Sequence, residues 1–421
     1  MNEARPPAGG PADRAAHSEW RGAALGVLAA AFVFNLLGRG SGETYTVFLQ
    51  PLEREFGWSR TQLTGVYSIY LLVGGFLAPF VGTLFDRVGP RAVYATGLGS
   101  IAAAYLLAST LSSLWQFYLY VGVLVGVGVA LVGMVPASGL LTRWYHARLA
   151  AAIGIAFSAV GCGVLIFVPL TQLVIAYLDW RSTYRALGLL MLALLPLAVF
   201  ALPWRTFTAG HPELHRRARE RRQGEGWTLR TAIRTRAYWG LAAMFFFTAA
   251  GMFTIVPQTV VYLIDAGFPP VAAATAFGVT GMLSVATLAG IGFVAARFGY
   301  RRTVTASFVG SSIGLAVLLA LSYYPATWLL VVYVLVFGAC QGARGPIISV
   351  ICTTKFAGPR MATIYGTVYA TNSLGAAAGS LLGGLLHDLT GGYVAGFAFA
   401  LIALWVAALP IWVVRELREF R

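Results

Sequence analysis

Long apolar stretches, broken by short clusters of charge, proline and glycine, make up most of this chain. With those clusters as boundaries, apolar runs fall at 22–49, 61–84, 92–111, 114–141, 149–177 and 182–203, and again at 237–264, 271–296, 303–322, 328–352, 361–386 and 394–414. Each run suits a helix through a hydrocarbon layer of about 30 Å, which takes roughly 20 residues. Inside such a layer the backbone has no water to bond to, and a helix satisfies its polar groups internally. The pattern therefore predicts an all-α polytopic membrane protein with twelve transmembrane helices in two six-helix halves. Its parts are an irregular tail at 1–21, an N-terminal half at 22–203, a central loop at 204–236, a C-terminal half at 237–414 and a tail at 415–421.

An internal repeat supports the division. Sliding the chain by about 210 residues places GTLFDRVGPR at 82–91 on GFVAARFGYR at 292–301, so that Gly82, Arg87, Gly89 and Arg91 meet Gly292, Arg297, Gly299 and Arg301. The same slide brings Gly57 to Gly267, Gly128 to Gly338 and Pro136 to Pro346; a slightly larger one pairs Arg143, Arg148 and Gly154 with Lys355, Arg360 and Gly366. Duplicated halves of this kind are expected to be parallel repeats about an axis normal to the membrane, a pseudo-twofold.

Composition agrees and adds an orientation. Of 421 residues, 58% are hydrophobic and only 11% charged, and the mean hydropathy is +0.75; soluble domains carry about a quarter charged residues. The formal net charge of +15 would suggest nucleic acid in a soluble protein, but here the basic residues are dispersed over many loops. With the N-terminus inside, 24 of the 30 Lys and Arg residues fall on cytosolic segments, nine of them in the central loop (Arg205, Arg216, Arg217, Arg219, Arg221, Arg222, Arg230, Arg234 and Arg236). That asymmetry puts both termini in the cytosol. The central run is chiefly topogenic and can also touch anionic membrane lipid. Trp20, Trp58, Trp115, Trp180, Trp204, Trp328 and Trp412 stand near run ends, as an interfacial aromatic belt would. No small-residue cleavage site follows the first residues, so the first helix is expected to be retained. Cys162, Cys340 and Cys352 lie inside apolar runs without a C-x-x-C or a neighbouring histidine, which indicates small buried hydrophobes and neither a disulfide, a metal nor a cofactor site.

The string Gly82-x-x-x-Asp86-Arg87-x-Gly89-x-Arg91 resembles the loop signature of the major facilitator superfamily, and the likeness extends over the chain through the six-plus-six layout and the second, degenerate copy around Arg297, where Ala296 replaces the acidic residue. Glycines let such a loop turn tightly and let helices approach closely. Asp86, with Arg87, Gly89 and Arg91, reads as a gate latch on the cytosolic side, or as a static turn with topogenic charge, the reading that suits the second copy better. Two further segments, TYTVFLQPLEREFGWSR at 44–60 and RWYHARLAAAIGIAFSAVGCG at 143–163, resemble the monocarboxylate transporter-like branch, including the oxalate:formate antiporter group. That resemblance implies small organic anions, usually carboxylates, moved by proton symport or by exchange with a counter-anion. The branch's mammalian members carry an acidic residue and an arginine in the eighth span, whereas this chain has Ser284 and Leu288 at those positions. The fifth span, SAVGCGVLIFVPL, lacks the Gly-Pro pairing typical of drug exporters.

Away from the run ends, three charged residues fall within the runs: Arg39, Glu43 and Arg344. A mid-membrane arginine costs roughly 2.5–3.5 kcal/mol on insertion scales, so such residues usually face a wet cavity or a partner. Their repeat-related positions hold Ala249, Phe253 and Met134, so all three depart from the duplicated scaffold. The superfamily resemblance places the first and tenth spans around a central cavity. Arg39 and Arg344 are then expected to bind a substrate carboxylate from opposite halves, because a guanidinium matches a carboxylate bidentately and keeps its charge. Glu43, four residues after Arg39, is the candidate proton carrier. The alternatives are a plain Arg39–Glu43 ion pair at the outer interface, and a structural role for Arg344 among small residues. Gln258 and Tyr262, one turn apart after Pro257, are candidate substrate contacts or packing residues of a kinked helix. Thr371, Asn372 and Ser373 suit interhelical hydrogen bonds, and Tyr145, His146 and Arg148 a solvated loop.

The function expected from these features is secondary active transport of a small organic anion, a mono- or dicarboxylate, by alternating access in a monomer of the bacterial inner membrane. The alternatives are a multidrug or other solute antiporter of the same superfamily, or a membrane sensor that has lost transport. A buried carboxylate without a neighbouring arginine would favour cationic drugs, whereas this chain has two intramembrane arginines to one carboxylate. No cluster of nucleophile, base or metal ligands within the spans points to an enzyme.

Overall fold

The structure is a computed structural model that describes residues 11–145, 149–209, 227–356 and 361–418. The run of arginines from Arg216 to Arg222, as well as His146, Arg148 and Arg360, lies outside the described residues. The expected spans are present as helices. The N-terminal half has Pro11–Gly42 continued by Tyr45–Phe56, then Arg60–Val88, Pro90–Ala108, Leu114–Trp144, Leu149–Tyr177 and Trp180–Ala201. The C-terminal half has Arg236–Asp265, Pro270–Phe298, Tyr300–Ala320, Thr327–Lys355, Met361–Thr390 and Val394–Val413. Among the described residues, ten helices are long and apolar enough to cross a membrane on that measure alone. The third and eleventh, Pro90–Ala108 and Met361–Thr390, fall below it because they are rich in Ala, Gly, Ser and Thr.

One boundary departs from expectation. The first helix begins at Pro11, so the stretch read as an irregular tail up to residue 21 is helical over its second half. Proline suits the first helical position, and the alanines and charged residues that follow are good helix formers.

The repeat is visible in the backbone. Five glycines have positive φ, and four of them form two repeat-related pairs: Gly57 at 66° with Gly267 at 97°, and Gly89 at 86° with Gly299 at 85°. Each pair ends a helix where a side chain would be strained. The halves meet chiefly through the second span against the eleventh and the fifth against the eighth. Small residues make these approaches close: Gly161 faces the Gly281 backbone, and Gly75 faces Ser373. Within the C-terminal half, Gly375, Gly379 and Gly383 put one face of the eleventh span directly on the carbonyls of Phe246, Ala250 and Thr254 in the seventh.

Candidate functional site

Four helices are interrupted, and they are the first, fourth, seventh and tenth spans. The first breaks at Glu43–Thr44, the fourth at Gly133, the seventh at the 3-10 turn Val256–Gln258, and the tenth at Gly342–Ala343. The fourth and tenth breaks are repeat-related, and Arg344 opens the helical segment after its break as Met134 does in the other half. Discontinuous helices near mid-membrane are a common construction for transporter sites, because they free backbone and side chains to meet a ligand.

Arg39 is the middle residue of the 22–56 span, and it pairs with Glu43 one turn on. Its Nη2 lies 3.0 Å from Glu43 Oε1, and its Nη1 donates to the Tyr70 hydroxyl at 3.0 Å. The second carboxylate oxygen accepts from the Tyr67 hydroxyl at 2.6 Å. Glu43 is buried, whereas the Arg39 side chain keeps 29% of its surface open. Tyr369 of the eleventh span is within electrostatic reach of that guanidinium, and Phe253 of the seventh stacks on Tyr67. A cavity of about 10 Å³ lined by Gly42, Tyr67, Tyr70 and Tyr105 adjoins the break.

Arg344 has different surroundings. It is 1% exposed, its Nη2 lies 3.3 Å from the Met252 sulfur, and its guanidinium carbon stands 5.0 Å from the Phe308 ring centre. Its Nε and Nη1 have no hydrogen-bond partner. No ion pair joins it among the described residues. It is also a cation at the N-terminal end of a helical segment, where the aligned peptide dipoles disfavour positive charge. The structure therefore gives each arginine its own surroundings, with no contact between the two.

Gln258 and Tyr262 both make structural hydrogen bonds, and Gln258 Oε1 is left without a partner. The Tyr262 hydroxyl donates to the Leu318 carbonyl at 2.6 Å and lies 2.5 Å from Ser322 Oγ, which ties the seventh span to the ninth. Gln258 Nε2 bonds the Thr254 carbonyl at 3.4 Å. Thr371 makes the expected interhelical bond, to the Ala242 carbonyl at 2.9 Å. Ser284 Oγ accepts from Gln341 Nε2 at 2.5 Å, which joins the eighth and tenth spans. An apolar cavity of about 680 Å³ between the first and sixth spans has Thr206 as its one polar lining residue, a composition suited to acyl chains.

The two ends of the bundle differ. On the side that carries the termini, Asp86 is exposed and pairs with Arg143 at 3.2 Å, inside its own half. Among the described residues neither Arg87 nor Arg91 forms an ion pair with it; Arg91 instead lies over Phe200 at 5.4 Å, and Arg297 over Phe298 at 5.8 Å. On the far side the halves are tied together. Arg60, at the start of the second span, donates from Nε to Glu53 at 2.8 Å and from Nη1 to the Tyr393 hydroxyl at 3.3 Å, and its Nη2 is 3.5 Å from Asp265. Asp388, at the end of the eleventh span, accepts from the Arg60 amide at 3.1 Å, the Thr61 amide at 2.8 Å and the Thr61 hydroxyl at 2.5 Å. A carboxylate from one half thus caps the positive N-terminal end of a helix from the other. Among the described residues, the hydrogen bonds and ion pairs between the halves are at or near this far-side end. In the sequence, Ser59 with Gln62 three residues on, a capping box, marks the start of a helix at Arg60.

Two repeat-related helical halves, each with two interrupted spans and tied together at one end, have the construction of a membrane transporter. The chain belongs to the Major Facilitator Superfamily, whose family model matches residues 23–291 and 284–420. Its relatives lie in the monocarboxylate transporter-like branch. Monocarboxylate transporter 13 of Bos taurus is 27% identical over 89% of this chain and 85% of its own length. Monocarboxylate transporter 12 of Mus musculus is 24% identical over 94% and 86%. The uncharacterized MFS-type transporter YcxA of Bacillus subtilis (strain 168) is 29% identical over 42% and 43%.

Proposed function

We propose that this transporter moves a small organic anion, a mono- or dicarboxylate, by alternating access coupled to a proton or a counter-anion. The carrying observation is Arg344: a buried guanidinium with two unpartnered nitrogens, at the helix end that disfavours it. An unpaired buried charge costs several kcal/mol, and a carboxylate supplies both the countercharge and the acceptors. The names of the monocarboxylate transporter relatives point to the same chemistry. Arg39 is the second anion contact. Its ion pair with Glu43 gives a proton route: an incoming carboxylate that draws Arg39 away leaves Glu43 free to take up a proton. The charge asymmetry of the loops sets the termini in the cytosol of a bacterial inner membrane, with the protein acting as a monomer. The structure then represents a state closed to the outside, and the Asp86 loop is the latch that forms when the cytosolic side closes.

Proteoliposome uptake of small mono- and dicarboxylates, with and without a pH gradient, tests this reading. Arg344→Gln is expected to abolish uptake while leaving membrane abundance intact, and Glu43→Gln to remove the response to the gradient. Carboxylate binding retained by Arg344→Gln would sink the anion assignment; an unchanged gradient response in Glu43→Gln would sink the coupling role.

A further inference from the structure

We propose that the apolar cavity between the first and sixth spans binds one anionic phospholipid, with an acyl chain inside it and the phosphate on Arg91 and Arg205. The duplicated halves show that this cavity departs from the shared scaffold. In the C-terminal half the corresponding seventh and twelfth spans pack directly on each other, Gly240 facing Pro410 and Gly251 the Ala400 carbonyl. Under the 210-residue slide Gly240 falls on Ala30, which lines the cavity. The first span meets the helix that continues the sixth, Trp204–Ala209, but hardly the sixth itself. The local cause lies at the end of the sixth span. Pro196 is followed by a π-helical turn, Leu197–Ala201, and the helix stops at Leu202. Trp204 Nε1 donates to the Ala198 carbonyl at 2.8 Å and Trp144 Nε1 to the Phe207 carbonyl at 2.9 Å, which fixes the turn and the short helix after it.

The shape suits a lipid chain. On the first span the cavity runs from Gly22 to Leu37, about 22 Å of helix, against about 15 Å for the hydrocarbon of one leaflet. It begins at the end that carries the termini, and it opens sideways, because its lining residues Ala29, Val33, Leu197 and Ala201 are exposed. A bilayer fills such a space with hydrocarbon. A chain gains little by leaving the bilayer for it, since lipid tails are as apolar as leucine, so the headgroup decides which lipid stays. The rim is basic. Arg91, at the start of the third span, lies 5.4 Å over the ring of Phe200, which stands between the lining residues Ala198 and Ala201. Arg205 adjoins the lining residue Thr206. Both arginines are exposed, and neither joins an ion pair among the described residues. Arg143, whose Nη1 reaches the Thr208 carbonyl at 3.4 Å, is already matched by Asp86. Guanidinium groups hold phosphate bidentately, and each basic residue at an anionic lipid surface is worth about fivefold in affinity. In the orientation proposed above, the lipid belongs to the cytosolic leaflet.

The purified full-length chain in detergent, titrated with phosphatidylglycerol, phosphatidylcholine or oleate and followed by native mass spectrometry, tests the assignment. One phosphatidylglycerol per chain is expected to bind at least tenfold more tightly than phosphatidylcholine, given two arginines at about fivefold each. Arg91→Gln and Arg205→Gln should each weaken it about fivefold. Ala29→Phe, which fills the cavity from an exposed position on the first span, should remove the tight species, and Ala201→Phe should do so from the opposite wall, so that one variant serves if the other does not fold. Arg301→Gln is the control: this repeat mate of Arg91 lies over Trp412 at 4.2 Å, beside spans that pack directly, and its loss should leave the affinity unchanged. Equal binding of the two phospholipids, or parental affinity in either folded cavity-filling variant, overturns the assignment. An Arg301→Gln loss as large as that of Arg205→Gln overturns it in favour of diffuse attraction to the basic face, and preference for oleate in favour of a free amphiphile. Binding is read without any transported substrate, so its failure leaves the anion site standing.

Discussion

The two intramembrane arginines occupy comparable places in the two halves and have opposite surroundings. Arg39 sits beside a helix break with its charge matched by Glu43 and its geometry fixed by Tyr70, and Tyr67 holds the other carboxylate oxygen. Arg344 also sits at a helix break but meets only a thioether and the face of Phe308. The N-terminal half therefore neutralises its own buried charge, while the C-terminal half keeps a positive charge unmatched. An unmatched charge is a poor structural device, since one well-packed apolar residue in its place avoids the desolvation cost. Met134 at the repeat-related position is such a residue. The difference gives the Arg39 pair a stabilising role beside its proposed anion contact, and leaves Arg344 as the buried charge without an ion-pair partner among the described residues.

The largest effect expected from this contrast is on stability. Arg39→Gln strands Glu43 in a buried site, and breaking a buried pair costs about 3–5 kcal/mol; because Arg39 is partly open, about 3 is expected. Thermal unfolding of the purified protein should show that loss, and Arg39→Gln combined with Glu43→Gln should recover most of it. Arg344→Gln should instead leave the melting temperature unchanged or raised, so a matching loss there would erase the distinction between the sites. Tyr67→Phe removes one bond to a charged group, worth about 1.5 kcal/mol, and should lower the melting temperature only while Glu43 is present. The smallest effect is that of Phe308→Leu, about 0.5–1 kcal/mol from the lost cation–aromatic contact. It should weaken the hold on Arg344 without touching the N-terminal pair, so an effect that persists undiminished in an Arg344→Gln background would assign it to packing.

Much of the fold was legible in the chain. Apolar runs marked the helices, since nothing else satisfies a backbone in lipid, and the glycines at 57, 89, 267 and 299 marked both the repeat and the turns that need positive φ. The family followed from the 82–91 string and the six-plus-six layout, and the match to the superfamily agrees. The candidate site was legible only in part. The i,i+4 spacing of Arg39 and Glu43 foretold their pairing, but not that Tyr67 and Tyr70 would complete it. Polarity beside a proline marked Gln258 and Tyr262 as candidates, but not that Tyr262 would bond to the ninth span and Gln258 Nε2 to the preceding turn.

Helix placement, the duplication, the asymmetry of charge and the identity of the three intramembrane charges were determined by the sequence alone, because each depends on local composition or on periodicity along one chain. The partners of those charges, the interruption of four spans, and the far-side tie between the halves were decided only by tertiary structure. Arg60 and Asp388 are more than three hundred residues apart, and no spacing rule connects an outer arginine to a carboxylate at the end of the eleventh span. Their meeting depends on how two rigid halves lean against each other, a choice made by the glycine contacts between the second and eleventh and the fifth and eighth spans.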